Sequence, residues 1–402
     1  MLFLKIFFTY VFIEFLIQYL LSKNKKKNTI LVNKDDEIPK FDKKRYDNFL
    51  KNSYDKKLGW IRKKNTKGFD SINGIKINFS IDKKGYRKFK KRKKNLFASF
   101  GDSYVFCRQV KDNETWQEQL SSNKKFNILN YGVGNYGLDQ SILRYKDEKL
   151  DNKVKFILMG FVPETICRIQ SQWKHYLEFG NIHGFKPKFT LVNEKIKLIT
   201  NPLKKKIKID KLTKVIKEVS RTDRFYEEKF QKNIFKFPFV FSFCKNLTFN
   251  LKVFFLIILR EIKISNLSEI KLNDLLFSLV MKRNIEQSHD YYNENKSIKL
   301  FEKIIDFYKN LALKKNHIPI IIVFPQLMDL KLNSRINYQR FFLKLNNKIK
   351  VIDLTKLLLK KDIKKIYTND KYGGHLSKYG NKVVSQFIFK ELKKYYKYID
   401  KL

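Results

Sequence analysis

The chain has 402 residues, 43% of them hydrophobic and 15% aromatic, so it can bury a sizeable core and is not a disordered protein. Its formal net charge is +47, carried mostly by lysine that is spread along the whole chain together with abundant Asn, Ile, Phe and Tyr. This pattern is typical of codon bias in an AT-rich genome. No helix-turn-helix, zinc-finger or RNP-type signature accompanies the charge, so we expect no nucleic-acid partner.

The cysteines and histidines do not indicate a metal centre. Cys107, Cys167 and Cys244 are too few and too scattered for a disulfide framework or a zinc cluster, and we predict that they are buried thiols. The five histidines show no H-x-x-H or H-E-x-x-H spacing. We therefore expect no bound metal.

The N-terminal segment is apolar from residue 2 to residue 21, which is long enough to cross a bilayer, and it is interrupted by Lys5 and Glu14. No small-residue cleavage site follows, so we predict an uncleaved transmembrane or signal-anchor helix over residues 1–22. A helix lying in the membrane interface is the alternative, because a glutamate in mid-span is costly. Lysine is so common throughout the chain that the lysines after this segment do not settle its orientation.

Residues 23–94 are predicted to form a linker followed by irregular structure and short strands. An α/β rhythm then begins and continues to the C-terminus. Its predicted strands are NLFASF (95–100), FNILNY (126–131), VKFILMGF (154–161), IPIIIVFP (318–325) and KVIDLT (350–355). Most are continuous apolar runs, as in strands buried on both faces, and helical patterns separate them. Residues 95–402 are therefore predicted to form one parallel sheet covered on both sides by helices.

The rhythm is interrupted between about residues 163 and 295, which we predict to be a mostly helical insertion. It contains the apolar runs FPFVFSF and LKVFFLIIL, which Lys245 and Lys252 break into lengths too short for a second membrane span. These runs are interpreted as helices of the core or of a cap. Helices that lie on the membrane surface are the alternative.

Chemically useful residues follow three of these elements, and in an open parallel sheet ligands bind at the carboxyl ends of the strands. FGDS places Ser103 just after the first strand, at a helix start, where its hydroxyl can be exposed. NYGVGNYG follows the second strand. Its G-x-G-x-x-G spacing also fits a dinucleotide-binding turn, but no acidic residue ends the next strand as that site requires. DKYGGHLSKYGN offers His375 in a glycine-rich loop before the last helix.

In this order, these stretches resemble the SGNH, or GDSL, hydrolase family, whose flavodoxin-like sheet carries a serine nucleophile in its first block and a histidine in its last. The resemblance extends to a bacterial subgroup of this family that is associated with modification of cell-surface polysaccharide. The similar stretches are IDKKGYR, FGDSYVFCRQVKDNETWQEQL, LNYGVGNYGLDQ, MGFVPETICR with HGFKPKFTL, and GGHLSKYGN. The resemblance covers about Trp60 to the C-terminus and implies a flavodoxin-like fold.

The resemblance implies that Ser103 is the nucleophile and that His375 is the general base that takes its proton. The acid that orients the histidine normally stands three residues before it, where this chain has Tyr372. Asp370, five residues before the histidine, is the implied substitute if the extra glycines bulge the loop.

The resemblance also implies the groups that stabilise an oxyanion. The backbone N–H of Ser103 is one donor, and the backbone at Gly134 and Asn135 supplies a second, with Asn135 where the family has glycine. The asparagine of the third block is missing, and Thr165 is the candidate to replace it. Glu164, beside it, would oppose an oxyanion if its carboxylate pointed inward.

We therefore expect a membrane-anchored serine esterase or O-acyltransferase that acts on ester groups, O-acetyl above all, of a cell-surface carbohydrate. The alternative is a non-catalytic SGNH-like protein that binds glycan or serves an assembly complex, which the missing asparagine favours. The expected location is the bacterial inner membrane, with the catalytic domain outside the cytoplasm. No cofactor is expected.

Overall fold

The structure, a computed structural model, describes residues 1–27, 30–72, 74–90, 94–122, 124–262, 268–368 and 374–396, with the backbone alone for residues 24–27. Its strands are β1 (Val32–Asn33), β2 (Tyr54–Asp55), β3 (Gly59–Trp60), β4 (Lys67–Ile72), β5 (Ile75–Ser80), β6 (Lys94–Gly101), β7 (Phe126–Asn130), β8 (Phe156–Phe161), β9 (Lys188–Val192), β10 (Lys195–Ile199), β11 (Ile234–Phe235), β12 (Ile318–Val323) and β13 (Lys350–Asp353).

The α-helices are α1 (Leu2–Lys27), α2 (Lys43–Asn52), α3 (Ser103–Phe106), α4 (Trp116–Ser121), α5 (Leu138–Asp147), α6 (Thr165–Arg168), α7 (Lys174–Leu177), α8 (Leu212–Ser220), α9 (Phe239–Cys244), α10 (Leu247–Ile262), α11 (Glu269–Asp290), α12 (Asn295–Lys314), α13 (Leu327–Lys331), α14 (Ile336–Leu345), α15 (Thr355–Leu359), α16 (Ile363–Ile366) and α17 (Lys378–Tyr395). A π-helical turn spans Tyr226–Gln231.

The central sheet has five strands in the order β13-β12-β8-β6-β7, and every neighbouring pair is parallel. Numbered along the chain from β6, the order read from the other edge is 2-1-3-4-5, which is the flavodoxin-like doubly wound arrangement. All residues of β7 and β8 are buried, as their continuous apolar runs predict. The predicted fold class is confirmed, and each of the five strands lies within two residues of its predicted bounds.

Helices cover both faces of this sheet, and alternate strand residues point to opposite sides. Ile157 and Met159 of β8 pack in a cluster with α5, α12 and α14, whereas Phe156 and Leu158 pack with α4 and α17. Each face therefore has its own apolar core, as expected when a parallel sheet is buried between two helical layers.

The first strand of the fold, β6, lies at the centre of the sheet, where the chain order reverses. Its last residue, Gly101, lies opposite Gly160 of β8. A Cβ atom on Gly101 would lie 1.9 Å from the carbonyl oxygen of Gly160, and one on Gly160 would lie 2.5 Å from Cγ2 of Val105. The two glycines thus allow α3, which begins at Ser103, to sit directly over the end of β8 at the switch point.

The predicted insertion lies between β8 and α12 and contains the β9–β10 hairpin and helices α6 to α11. Helix α10 buries Val253 and Ile257 but exposes Leu251 and Phe255. Cys107 and Cys167 are buried as predicted, whereas the prediction for Cys244 is wrong, because it ends α9 on the surface.

Helix α1 is long and apolar enough over Leu2–Lys23 to cross a membrane. The second half of this span packs against α9 and α10 through Ile17, Leu20 and Leu21. Glu14 is buried there, and its carboxylate accepts hydrogen bonds from the backbone N–H groups of Phe239 (2.7 Å) and Val240 (3.0 Å), at the start of α9. The glutamate that interrupts the apolar segment therefore gives a hydrogen-bond acceptor to two backbone N–H groups at the start of α9 that have no partner within that helix.

A buried histidine in the insertion predicts acid sensitivity. Nε2 of His175 donates to the Asp36 carbonyl (2.9 Å), Nδ1 accepts from Gly180 N–H (3.2 Å), and burial lowers the pKa of His175 to about 4. The unfolded chain binds a proton at this histidine near pH 6.5, whereas the folded chain does so only near pH 4. The free energy of unfolding should therefore fall by roughly 3 kcal/mol as the pH decreases from about 6.5 to 4.

Urea unfolding of wild type and His175→Phe between pH 8 and pH 4 measures this effect. We expect the free energy of unfolding of the variant to fall less steeply with acid than that of wild type. If the free energy of unfolding fell equally steeply with acid in both proteins, burial of His175 would not be the cause of the acid sensitivity.

Candidate active site

Ser103 and His375 meet at the carboxyl end of the sheet. Ser103 is the first residue of α3, directly after β6, and its Oγ lies 2.9 Å from Nε2 of His375. Both side chains are nearly buried, at 8% and 7% exposure. Residues 272 positions apart in the sequence are thus in hydrogen-bond contact, with the geometry that a nucleophile and its general base require.

Asp102 fixes the turn that presents Ser103. Its Oδ1 accepts from the backbone N–H of Tyr104 and its Oδ2 from that of Val162, both at 2.9 Å. The side chain is fully buried, and burial raises the pKa of Asp102 against the opposing charge of Arg168. Asp102 therefore fastens the helix start to the loop that follows β8.

Arg87, from the IDKKGYR stretch, supports the other end of α3. Its Nη1 donates to the carbonyl oxygens of Phe106 and Cys107, both at 2.7 Å, and its Nε contacts Asp112 at 2.7 Å. Its backbone N–H also bonds to Asn130 at the end of β7. The buried guanidinium thus satisfies carbonyls that a four-residue helix leaves unpaired, which explains why this stretch belongs to the site.

The loop that carries His375 is held from two sides. The Tyr104 hydroxyl donates to the carbonyl of Gly374 (2.7 Å), which adopts φ +75°, a conformation that favours glycine. The backbone N–H of Thr368 donates to the carbonyl of His375 (2.7 Å). The residue after the nucleophile therefore positions the loop of the histidine.

The rest of the G-H-x-S-x-x-G-N motif anchors α17. The Ser377 side chain caps its first turn, and a Cβ atom on Gly380 would lie 2.2 Å from the carbonyl of Ile366. Asn381 accepts from the backbone N–H of Trp116 (3.0 Å), which ties α17 to α4. These residues fix the helix from which the His375 loop departs.

The second predicted block also reaches the site. The backbone N–H of Val133 donates to the carbonyl of Gly101 (2.9 Å), and the indole of Trp60 donates to the carbonyl of Gly134 (3.0 Å). Asn135 adopts a left-handed conformation, φ +66°, which glycine and asparagine tolerate best. Across the described part of the chain, no acceptor engages the backbone N–H of Gly134 or Asn135.

In the third block, Thr165 is fully buried, and its Oγ1 accepts from the backbone N–H of Leu138 at 3.0 Å, which fastens α5 to the loop after β8. The Glu164 carboxylate binds Nη2 of Arg168 at 2.6 Å. The negative charge of Glu164 is therefore paired with a cation.

Arg168, which the sequence did not single out, links the acidic groups behind the site. Its guanidinium lies 2.6 Å from Glu164, 3.6 Å from Asp102 and 3.8 Å from Glu178. Burial alone would lower the pKa of Arg168, but the three carboxylates outweigh burial and raise it. The spacing of Glu164 and Arg168, four apart on one helix, is the only local signal of this pairing.

Asp370, the implied acid, and Tyr372 lie outside the described residues. Among those that are described, no group of three or more His, Cys, Asp or Glu side chains could hold a metal ion.

No protein-family profile and no curated protein sequence matches the chain. Among solved structures, it is similar to a lipolytic protein of the G-D-S-L family from Desulfitobacterium hafniense, with 11% identity, a TM-score of 0.34, and coverage of 74% of this chain and 99% of that one. It is also similar to a member of the lipolytic G-D-S-L family from Veillonella parvula, with 13% identity, a TM-score of 0.34, and coverage of 74% and 97%. Likenesses this distant carry no argument, so the functional assignment rests on the geometry of this chain.

Proposed function

We propose that the protein is a serine esterase or O-acyltransferase that forms an acyl-enzyme on Ser103 and acts on ester groups, O-acetyl above all, of a cell-surface carbohydrate. The observation that carries the proposal is the 2.9 Å contact between Ser103 Oγ and His375 Nε2 at the switch point of the sheet. The carbohydrate substrate rests on the sequence resemblance alone.

The chemistry follows from these positions. As Ser103 Oγ attacks the ester carbonyl carbon, His375 Nε2 accepts the hydroxyl proton. The resulting oxyanion lies near the backbone N–H groups of Ser103 and of Gly134 and Asn135. Collapse of the intermediate breaks the C–O bond to the alcohol, which leaves with the proton from His375. Water or a sugar hydroxyl then takes the acyl group from Ser103, which gives hydrolysis or transfer.

Two further residues complete the proposed site. Thr165 is the third oxyanion donor, since its hydroxyl proton stays available while its oxygen accepts from Leu138. Asp370 is the acid that orients His375. Helix α1 is the membrane anchor, which the length and apolar character of Leu2–Lys23 support, and the catalytic domain lies outside the cytoplasm at the inner membrane.

A serine-directed phosphonate probe tests the proposal. We expect the full chain in detergent to be labelled on Ser103 and the Ser103→Ala variant to remain unlabelled. Equal labelling of both proteins would reject Ser103 as the nucleophile.

A second candidate function is a non-catalytic protein that binds glycan or serves an assembly complex. The observation in its favour is that the fully buried Thr165 stands where the family has asparagine. This function predicts binding to an acylated polysaccharide with no change in its ester content, measured by acetate release with wild type and with His375→Ala.

Asn135 offers a test of the oxyanion site. Because its φ of +66° suits glycine but strains a β-branched residue, Asn135→Gly should keep most of the esterase rate. Asn135→Val should lose on the order of 100-fold, the usual cost of one misplaced oxyanion donor. The measurement is kcat on an aryl acetate, with thermal unfolding to verify that both variants fold. Equal rates for the two variants would place the oxyanion donor elsewhere.

A further inference from the structure

A cleft in the insertion lies apart from Ser103 and His375. It opens to solvent, has about 70 Å³ of accessible space, and lies between the π-helical turn Tyr226–Gln231, α10 and α11. A second cavity shares Lys229, Lys232 and Arg283 with the cleft and continues towards Glu164, just after β8.

The polar lining of the cleft is cationic. Lys229, Lys232 and Arg283 contribute three positive charges, and no carboxylate is present among the described residues that line it. Its other polar lining includes the side-chain amides of Asn233, Asn246, Asn250, Asn284 and Gln287. Cations and amide donors are the groups that bind an anion, whereas the carboxylates Glu164, Glu228 and Asp290 line the adjoining second cavity.

Arg283 is half-buried and has no acidic partner in the described structure. Its Nη2 donates to Oδ1 of Asn246 (2.9 Å), and its guanidinium lies over the ring of Phe249 at 4.3 Å. Burial lowers the pKa of Arg283. A guanidinium held in place by an aromatic ring and one amide still has donors to offer a ligand.

The apolar wall of the cleft adjoins the N-terminal helix. Phe230, Phe235 and Phe249 line the cleft, and Phe235 shares a cluster with Leu20 and Leu21 of α1. The lining also includes residues 30–32, the third to fifth positions after the end of α1. If α1 crosses the bilayer, the cleft lies where its span ends, at the level of the lipid phosphates.

We propose that this cleft binds a phosphate group, with Arg283 and Lys232 as its cationic partners and with the apolar wall available to the hydrocarbon part of an anionic amphiphile. The phosphate can come from a phospholipid head group or from free phosphate, and the two sources differ in whether the apolar wall contributes. The proposal is independent of the chemistry at Ser103.

Calorimetric titration of the full chain in a neutral maltoside detergent tests the proposal, with dihexanoyl phosphatidylglycerol and inorganic phosphate as separate probes. We expect the lipid to bind and Arg283→Gln to weaken its affinity about tenfold or more, because a charge-assisted hydrogen bond is lost. Lys282→Gln, on the exposed side of the same helix, should change affinity less than twofold, and Arg283→Lys should restore part of the binding.

Tighter binding of the lipid than of phosphate identifies an amphiphile site. Equal affinities with the same dependence on Arg283 support the anion site and assign it to free phosphate. Absence of binding by both probes, or equal losses in Arg283→Gln and Lys282→Gln, would overturn the proposal. If Arg283→Gln fails to fold in thermal unfolding, the exposed Lys232→Gln replaces it in the same comparison.

Discussion

We expect Ser103→Ala and His375→Ala each to reduce ester hydrolysis by on the order of 10⁴-fold or more, because a nucleophile and its base act as one unit. The Ser103 hydroxyl and the His375 ring are 2.9 Å apart, so removing either leaves the other without its partner in proton transfer. The measurement is kcat/KM on an aryl acetate with detergent-solubilised protein.

The double variant distinguishes a joint role from two separate ones. If the two residues act together, Ser103→Ala/His375→Ala should be no slower than either single variant, whereas independent contributions would multiply. Ser122→Ala removes an exposed hydroxyl after α4 and should leave the rate unchanged. A double variant markedly slower than both single variants would contradict the proposed pair.

The five strands of the sheet could be predicted because their apolar runs are continuous and are separated by amphipathic helices. Their order could not be deduced from periodicity, which says nothing about which strands pair. The resemblance implied the strand order, because a flavodoxin-like sheet places its first strand between the second and the third. The parallel pairing of β6 with both β7 and β8 agrees with that order. The glycines at 101 and 160 show what local patterns miss, since each is needed for a close contact with a distant element, Gly101 with β8 and Gly160 with α3.

For the candidate site, sequence reasoning identified Ser103 and His375 as a pair, and the structure places them in contact. It also placed Asn135 where the family has glycine, and Asn135 has φ +66°, a conformation that glycine and asparagine tolerate best. The catalytic roles themselves remain predictions.

Other supports of the site could not be predicted, because they join distant segments. Trp60 and Arg87 lie before the first strand of the sheet, yet they hold Gly134 and the end of α3. The mid-span Glu14 similarly has its partners at Phe239 and Val240, more than two hundred positions away. No composition or spacing rule predicts such pairings, since each depends on how separate segments meet in the folded chain.

Arg168→Met should lower the free energy of unfolding by about 3–5 kcal/mol, the usual cost of removing one partner from a buried ion pair. Arg168 lies between the buried carboxylates of Glu164 (2.6 Å) and Asp102 (3.6 Å), behind the turn that presents Ser103. The methionine variant leaves these two carboxylates without a cationic partner. The measurement is urea unfolding at neutral pH, where these carboxylates ionise in the unfolded chain.

Lys57→Met is the matched control, because Lys57 forms an exposed ion pair with Asp147 at 2.6 Å. Exposed pairs contribute at most about 1 kcal/mol, so the control should differ little from wild type. Arg168→Met should recover stability at low pH relative to wild type, since burial raises the pKa of Asp102 and protonating it removes its unpaired charge. A loss in Arg168→Met no larger than in Lys57→Met would show that the carboxylates behind the Ser103 turn do not depend on Arg168.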